Sequence, residues 1–290
     1  MLTFELLDLK PRNPYLSIAL DEALCKYAST FPEFEGGVRL WTNPYSVILG
    51  RTCIPEKNLD QVYFKKFNIS HKKSRWSSWP QLCRRASGGG TVLHGPGNLN
   101  YSIFLPLDKH PDLFALKKSY FVLLGMLQNV LSNQGIHTRI QGSSDLAVVD
   151  SGGSLRKISG NAQFRKYGML MHHGTLIMRN DIIDIIARYL RHPPSEPDYR
   201  GGRGHSDFLG HLPDSFDLSS FHSCLSEEMK KVVRRPLEQL EGMNRRKVFE
   251  MARKMAYENY GCESWILSGK VCVGNERTRS AESAGAAIQS

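Results

Sequence analysis

Residues 84–102 read RRASGGGTVLHGPGNLNYS, and no other stretch of the chain is so dense in groups suited to holding an anion. Gly88, Gly89 and Gly90 tolerate positive φ and carry no Cβ, so their amide N–H groups can close directly on a phosphate or carboxylate. Arg84 and Arg85 stand before them with planar, permanently charged forks. Ser87 adds a hydroxyl and His94 a ring that can donate or accept. Gly95-Pro96-Gly97 turns the chain, and NLNYSIFLP leaves as an apolar-rich strand. The run is not a P-loop, because no Gly-Lys-Ser/Thr follows and no helix opens behind it. Its spacing and the strand that follows exclude a dinucleotide fingerprint as well. A glycine-rich turn without a ligand stays open on these residues alone. A second candidate is Lys157, beside Ile158, Ser159 and Gly160 on an expected strand. One ammonium there can bridge a carboxylate and a phosphate; a solvated lysine beside Arg156 is the plainer reading.

Taken whole, RRxSGGGxVxHGxGNLNYS resembles the signature of the lipoate–protein ligase family, within the wider biotin/lipoyl protein ligase superfamily. KISGNAQ at 157–163 followed by HHGTL at 172–176 resembles that family's second block, in the expected order. The likeness runs from about Phe4 to about Leu212. It implies a catalytic domain related to class II aminoacyl-tRNA synthetases, ATP and Mg²⁺ as requirements, and lipoate as substrate. By the same resemblance Lys157 is the catalytic residue, contacting nucleotide and lipoyl carbonyl. Arg85, Gly90, Thr91, Val92, Leu93 and Ala162 match nucleotide contacts, and Ser87, Gly88 and Gly89 shape the same loop. Ser159 and Gly160 belong to the lysine motif. His94, His173, Gly174 and Thr175 match positions lining the lipoyl or adenylate pocket, although each histidine could equally be a satisfied core residue. Asp145 matches an acidic position that can help bind Mg²⁺; a turn-forming aspartate is the alternative. Trp41 and Arg51 resemble further pocket positions. The implied acceptors are 2-oxoacid dehydrogenase E2 subunits or the glycine-cleavage H protein, acidic near their modified lysine.

The chemistry of such a site is set by leaving groups. A free carboxylate acylates an amine poorly because it would have to expel oxide, whereas an acyl-adenylate expels a phosphate. Cations and fixed N–H donors where the two anions meet are therefore the catalytic need. The nearest rival is acyl transfer from acyl-carrier protein without ATP, which passes through a cysteine thioester. The segment QGSSDLAVVDSGGSLRK has no cysteine, and Cys83 sits beside the arginines instead. Biotin protein ligase shares the implied fold, but its G-R-G-R-x-G-R motif is missing. A third reading is a binding module, or a catalytic half that needs a separate accessory protein.

The whole chain bounds these readings. Its 290 residues, 41% hydrophobic, suit one sizeable domain or a domain with an appendage. No apolar run approaches a membrane span, and MLTFELLDLKPRN lacks the basic start of a secretory signal. Six scattered cysteines without a C-x-x-C pair argue against a zinc site or a disulfide framework and suit a cytoplasmic compartment. The net charge of +10 favours an acidic partner. Nucleic acid is the generic choice, with HKKSRWSSW at 71–79 as its footprint, but no nucleic-acid module is present and a solvated loop is the commoner meaning of such a run.

Asn13-Pro14 marks a helix start, with Leu16, Ala19, Leu20, Ala23, Leu24 and Tyr27 on one face. VRLWTNPYSVILGR at 38–51 reads as strand, turn, strand, residues 52–67 as a short helix, and 68–83 as an inserted loop with QLC a weak strand. Asp112 is the expected cap of a long helix burying Leu113, Leu116, Tyr120, Leu123, Leu127, Val130 and Leu131 and ending near Gly135. IHTRI, DLAVVD, LRKISGNAQ and GMLMHHGTLIM are expected strands, SGGS at 151–154 a turn, and Asn180 the cap of DIIDIIARYL. The proline- and glycine-rich 192–212 stretch is expected to be a loop and a candidate lid. Helices over 217–232 and 245–260 follow. The pattern predicts an α+β fold with a mixed, mostly antiparallel sheet flanked by helices. Residues 1–245 would form the catalytic domain, 246–273 a C-terminal helix extension and 274–290 a disordered tail.

Overall fold

The computed structural model describes residues 1–11, 13–71 and 80–271, without the side chains of 68–71. Most of the basic 71–79 stretch and the whole 274–290 tail lie outside the described residues. The chain opens with β1 (Thr3–Asp8), α1 (Pro14–Ala28), β2 (Gly36–Trp41) and β3 (Ser46–Leu49). Next come α2 (Pro55–Asn58), α3 (Gln61–His71), β4 (Gln81–Arg84), β5 (Val92–His94) and β6 (Asn98–Pro106). The middle holds α4 (Leu116–Ser132), β7 (Arg139–Gln141), β8 (Asp145–Val149), β9 (Leu155–Lys166) and β10 (Met169–Ile177). It closes with α5 (Asp181–Tyr189), α6 (His205–Phe208), α7 (Leu218–Val233), α8 (Gly242–Met255) and α9 (Glu263–Ser268).

Seven strands form one sheet in the order β1-β2-β6-β10-β9-β8-β7, and β4-β3-β5 form a smaller one. In the large sheet only the β1–β2 pair is parallel, so the expected mixed, mostly antiparallel α+β architecture holds. The alternation of β6 explains the layers. Leu99, Tyr101, Ile103 and Leu105 face a core closed by α4 and α7. Phe104 faces the opposite core with α1, α8 and the small sheet, and Asn100 on that same side opens onto a cleft between the sheets. The helix of α1 begins as its sequence dictates: the Asn13 side chain accepts from the Tyr15 and Leu16 amides, and Pro14 takes the first helical position.

Several expectations need correction. Residues 52–67 hold parts of two helices, because Leu59 and Asp60 break the run and the Asp60 carboxylate then caps α3. Gln81–Arg84 is a full strand, paired in parallel with β3. Asp112 does not cap α4: a 3₁₀ turn at Pro111–Leu113 intervenes, the helix starts at Leu116, and Asp112 pairs with Lys118 instead. Leu116 is accordingly exposed and not on the buried stripe. Asn180 precedes α5 without a side-chain cap bond. The 192–212 stretch contains a 3₁₀ turn at Asp198–Arg200 and α6, with Arg200 and Phe208 buried. The last long helix ends at Met255 and continues as a π-turn, Ala256–Tyr260.

Candidate active site

The cleft between the sheets encloses about 880 Å³, open mouth included. Its floor follows from strand register. On β9 and β10 the cross-strand partners Gly160–Thr175, Ala162–His173 and Phe164–Met171 succeed one another at two-residue steps. All six line the cleft, which makes a strip that is polar at one end and apolar at the other.

Lys157 stands at the polar end by virtue of a bulge. In a regular strand residues three apart face opposite ways, yet Lys157 and Gly160 both line the cleft. Between them the register against β8 shifts, Leu146 pairing with Ser159 but Ala147 with Lys157, so Ile158 is the extra residue. A Cβ on Gly160 would meet the Lys157 Cε and Nζ at 3.0 Å, so the missing side chain is the room the ammonium uses. Nζ lies 2.9 Å from Asp145 Oδ1, and Tyr199 donates to Asp145 Oδ2 at 3.0 Å. The Gly210 amide donates to the Lys157 carbonyl at 2.9 Å. The candidate lid thus meets Asp145 through Tyr199 and the Lys157 backbone through Gly210.

The glycine turn lies across the cleft from β9, and both of its arginines bond backbone carbonyls. The Arg84 guanidinium is buried and given over to backbone carbonyls of Gly50, Cys53, Trp265, Ile266 and Leu267. Arg85 bonds the Gly88 and Gly90 carbonyls at 2.6 and 2.7 Å and the Ser87 hydroxyl at 3.0 Å. Burial lowers its pKa to about 10. It therefore shapes the turn by holding those carbonyls toward itself. The amides of Gly88, Gly89 and Gly90 make no hydrogen bond among the described residues. Gly89 takes φ +85°, and a Cβ on Gly50 would overlap its carbonyl, so both positions require glycine. The Thr91 hydroxyl also lines the cleft and has no hydrogen-bond partner among the described residues.

Buried polar chains brace the middle of the strip. Ser87 donates to His173 Nε2 at 2.6 Å, and His173 Nδ1 lies 3.5 Å from Asp21 Oδ2. Arg39 bonds Asp21 at 2.6 Å and Asp8 at 3.0 Å. Burial alone would raise the Asp21 carboxyl, but Arg39 and His173 hold it below its ordinary value. The order Ser–His–Asp is that of a hydrolase relay. Here Ser87 is 2% exposed and pinned by Arg85, while Asp21 also accepts from Ser102, which makes the set a strut. Burial keeps His173 below its ordinary pKa, with Arg85 and Arg39 adding to the effect. His94 is pushed to about 3 by burial and by Arg85. Its Nδ1 accepts from Asn43 at 3.5 Å, so Nε2 carries the proton toward Thr175 Oγ at 3.3 Å.

Of the residues singled out from sequence, Arg85, Ser87, Gly89, Gly90, Thr91, Val92 and His94 line the cleft together with Asp145, Lys157, Gly160, Ala162, His173, Gly174 and Thr175. Gly88, Leu93 and Ser159 do not. Leu93 is in the core, and Ser159 is buried on the other face against Tyr101 and Asn161. Trp41 lines the cleft, whereas Arg51 lies over the Trp265 ring at 4.4 Å. Residues missed include Asp21, hidden in a helix whose periodicity spoke only of packing, and Phe164 and Met171, indistinguishable from core positions.

A seven-stranded mixed sheet, a small second sheet and a glycine turn facing a strand lysine make up a fold that this chain shares with solved lipoate protein ligases. The same fold is found in a bipartite lipoate protein ligase of Thermoplasma acidophilum, at TM-score 0.71 and 21% identity over 94% of this chain and 99% of that one. A lipoate-protein ligase A solved with bound ATP matches at TM-score 0.66 and 22% identity, over 92% of this chain and 99% of that one. Residues 13–228 match the lipoyl protein ligase A/B catalytic domain family, and the chain belongs to that family. Among curated relatives, the lipoate-protein ligase A of Blochmanniella pennsylvanica is 30% identical over 188 residues, 65% of this chain and 47% of its own length. The chain spans about half the length of the curated relatives it matches.

Proposed function

We infer that this chain activates lipoate, or a similar medium-chain acid, with ATP and passes the acyl group to a lysine of a lipoyl acceptor domain. The observation that carries this reading is the convergence in one cleft of the Lys157 ammonium, the glycine-turn amides and an apolar strip. The acid would lie along Ala162, Phe164 and Met171 with its carboxylate at Lys157. A carboxylate oxygen attacks the α-phosphorus of ATP and pyrophosphate departs. The acceptor amine then attacks the acyl carbon, the acyl–phosphate C–O bond breaks, and AMP leaves. Lys157 offsets charge on both reacting oxygens, and the amides and the Thr91 hydroxyl, unpartnered among the described residues, suit the phosphates. Among the described residues no cluster of three His, Cys, Asp or Glu could hold a metal. Mg²⁺ would accordingly arrive with the nucleotide, Asp145 adding one carboxylate to phosphate and water ligands. An E2 lipoyl domain is the natural first acceptor, since the bipartite ligase was studied with its own.

The thioester-transfer alternative needs a cysteine in the cleft, and among the described residues Cys53, whose Sγ lies 3.4 Å from the Gly89 carbonyl, is not a lining residue. No cysteine is among the cleft residues, and Cys25 and Cys83 are buried with their thiols pushed well above the ordinary range by desolvation. The test is to incubate the chain with ATP, Mg²⁺, lipoate and an apo lipoyl domain and weigh the domain by mass spectrometry. Lys157→Ala is expected to lower pyrophosphate release about a thousandfold with the far-UV spectrum unchanged. Acylation by that variant at the wild-type rate would overturn the assignment.

A further inference from the structure

Beyond the matched 13–228 segment, the π-turn Ala256–Tyr260 brings Tyr260 to the wall of the cleft. Its place there can be read from the strip. Past Phe164 and Met171 the β9–β10 hairpin turns at Tyr167, whose ring lies 6.5 Å from that of Phe164. Tyr167 donates to Glu22 Oε1 at 3.0 Å, and Lys166 lies 3.4 Å from the same oxygen. Tyr260 donates to Glu22 Oε2 at 2.5 Å, is 1% exposed, and packs on Trp265. Glu22 and Tyr260 line the cleft. Groups from α1, the hairpin and the C-terminal π-turn thus meet in one tied cluster at the end farthest from Lys157.

We propose that Tyr260 is the end wall of the acyl strip and sets the length of acid the site accepts. This rests on the reading of the cleft as an acid-activating site. From Gly160 to Phe164 the strand rises four residues, about 14 Å, which matches an extended chain of about eleven bonds at roughly 1.2 Å each. An acid with its carboxylate at Lys157 therefore meets the wall after a medium-length chain. π-turns of this kind often occur at functional sites, and Tyr260 at the end of this one lines the cleft.

The experiment measures pyrophosphate release with ATP, Mg²⁺ and straight-chain acids of six to fourteen carbons, and repeats the series by calorimetric titration without ATP. Wild type, Tyr260→Ala and the milder Tyr260→Leu are compared, with Tyr257→Ala as a control on the same turn; Tyr257 is not a cleft residue. Opening the wall is expected to raise kcat/KM for acids two or more carbons beyond the wild-type optimum about tenfold relative to that optimum. The control keeps the wild-type length profile. Tyr260→Leu decides the matter if the alanine variant does not fold. An active wild type whose length profile is unchanged in both Tyr260 variants overturns the wall and leaves the ligase reading standing. A calorimetric length shift without pyrophosphate release from wild type keeps the wall and overturns the ligase reading. No acid binding to wild type overturns both.

Discussion

The Arg84 guanidinium joins two distant parts of the chain, donating to the carbonyls of Gly50, Arg51 and Cys53 on one side and of Trp265, Ile266 and Leu267 on the other. A lysine has three donors on a point charge and cannot reproduce a planar fork, so buried carbonyls would be left without partners. Arg84→Lys is expected to cost about 2–4 kcal/mol, read as a lower urea midpoint at unchanged slope. Histidines give a second residue-scale expectation. His94 and His172 are buried and neutral, with pKa values near 3, against about 6.5 unfolded. Their folded values are depressed, so below 6.5 the unfolded chain takes up protons that the native state refuses. Stability then falls as pH drops from 6.5 toward 3. Between pH 7.5 and 5.5 the two should remove about 3 kcal/mol, checked by urea unfolding at both values. Arg84 also marks where the sequence was illegible. Its type and place spoke of an anion, but which carbonyls lack a donor depends on contacts 181 to 183 residues away. Asp21 was missed for the same reason, since its carboxylate acquires meaning only when Arg39 and His173 reach it.

At the scale of elements, periodicity carried most of the strands and helices, and failed where local geometry departs from a regular period. α4 begins late because a 3₁₀ turn absorbs its expected cap, and the 192–212 stretch folds into short turns that no 3.6-residue pattern announces. The bulge in β9 is the most consequential departure. K-x-S-G looks like an alternating strand in which lysine and glycine oppose one another, and only the extra Ile158 turns both into the cleft. Adding a methyl at Gly160 leaves the backbone acceptable, since its φ is not positive, but crowds Cε and Nζ at 3.0 Å. Gly160→Ala is therefore expected to lower pyrophosphate release about a hundredfold while the melting temperature stays within about 2 °C, because surface-side changes of this size cost little stability. A parallel loss of melting temperature would mean that the glycine serves packing and not the position of the ammonium.

For the molecule as a whole, the sequence suggests a catalytic domain over 1–245 and a helix extension over 246–273, and the last helices pack into the same core as α1. Val248, Phe249 and Ala252 of α8 share a core with Leu20, Ala23 and Leu24 of α1. Tyr27 donates to Asn244 at 2.8 Å, Trp265 donates to the Arg84 carbonyl at 2.8 Å, and Tyr260 reaches Glu22. Burying side chains such as Val248, Phe249, Trp265 and Ile266 contributes about 1.5–3 kcal/mol each, and a domain has only about 5–15 kcal/mol to lose. A chain ending at residue 241 would also leave the Arg84 charge buried against half of its acceptors. An independent appendage would detach and leave a cooperative melting transition. The shared core predicts instead that residues 1–241 lose the sharp transition in scanning calorimetry and the near-ultraviolet circular dichroism, while keeping helical far-ultraviolet signal and binding a hydrophobic dye. Residues 1–271 should melt as one unit, because α1, the glycine turn and the last helices then hold one another in place.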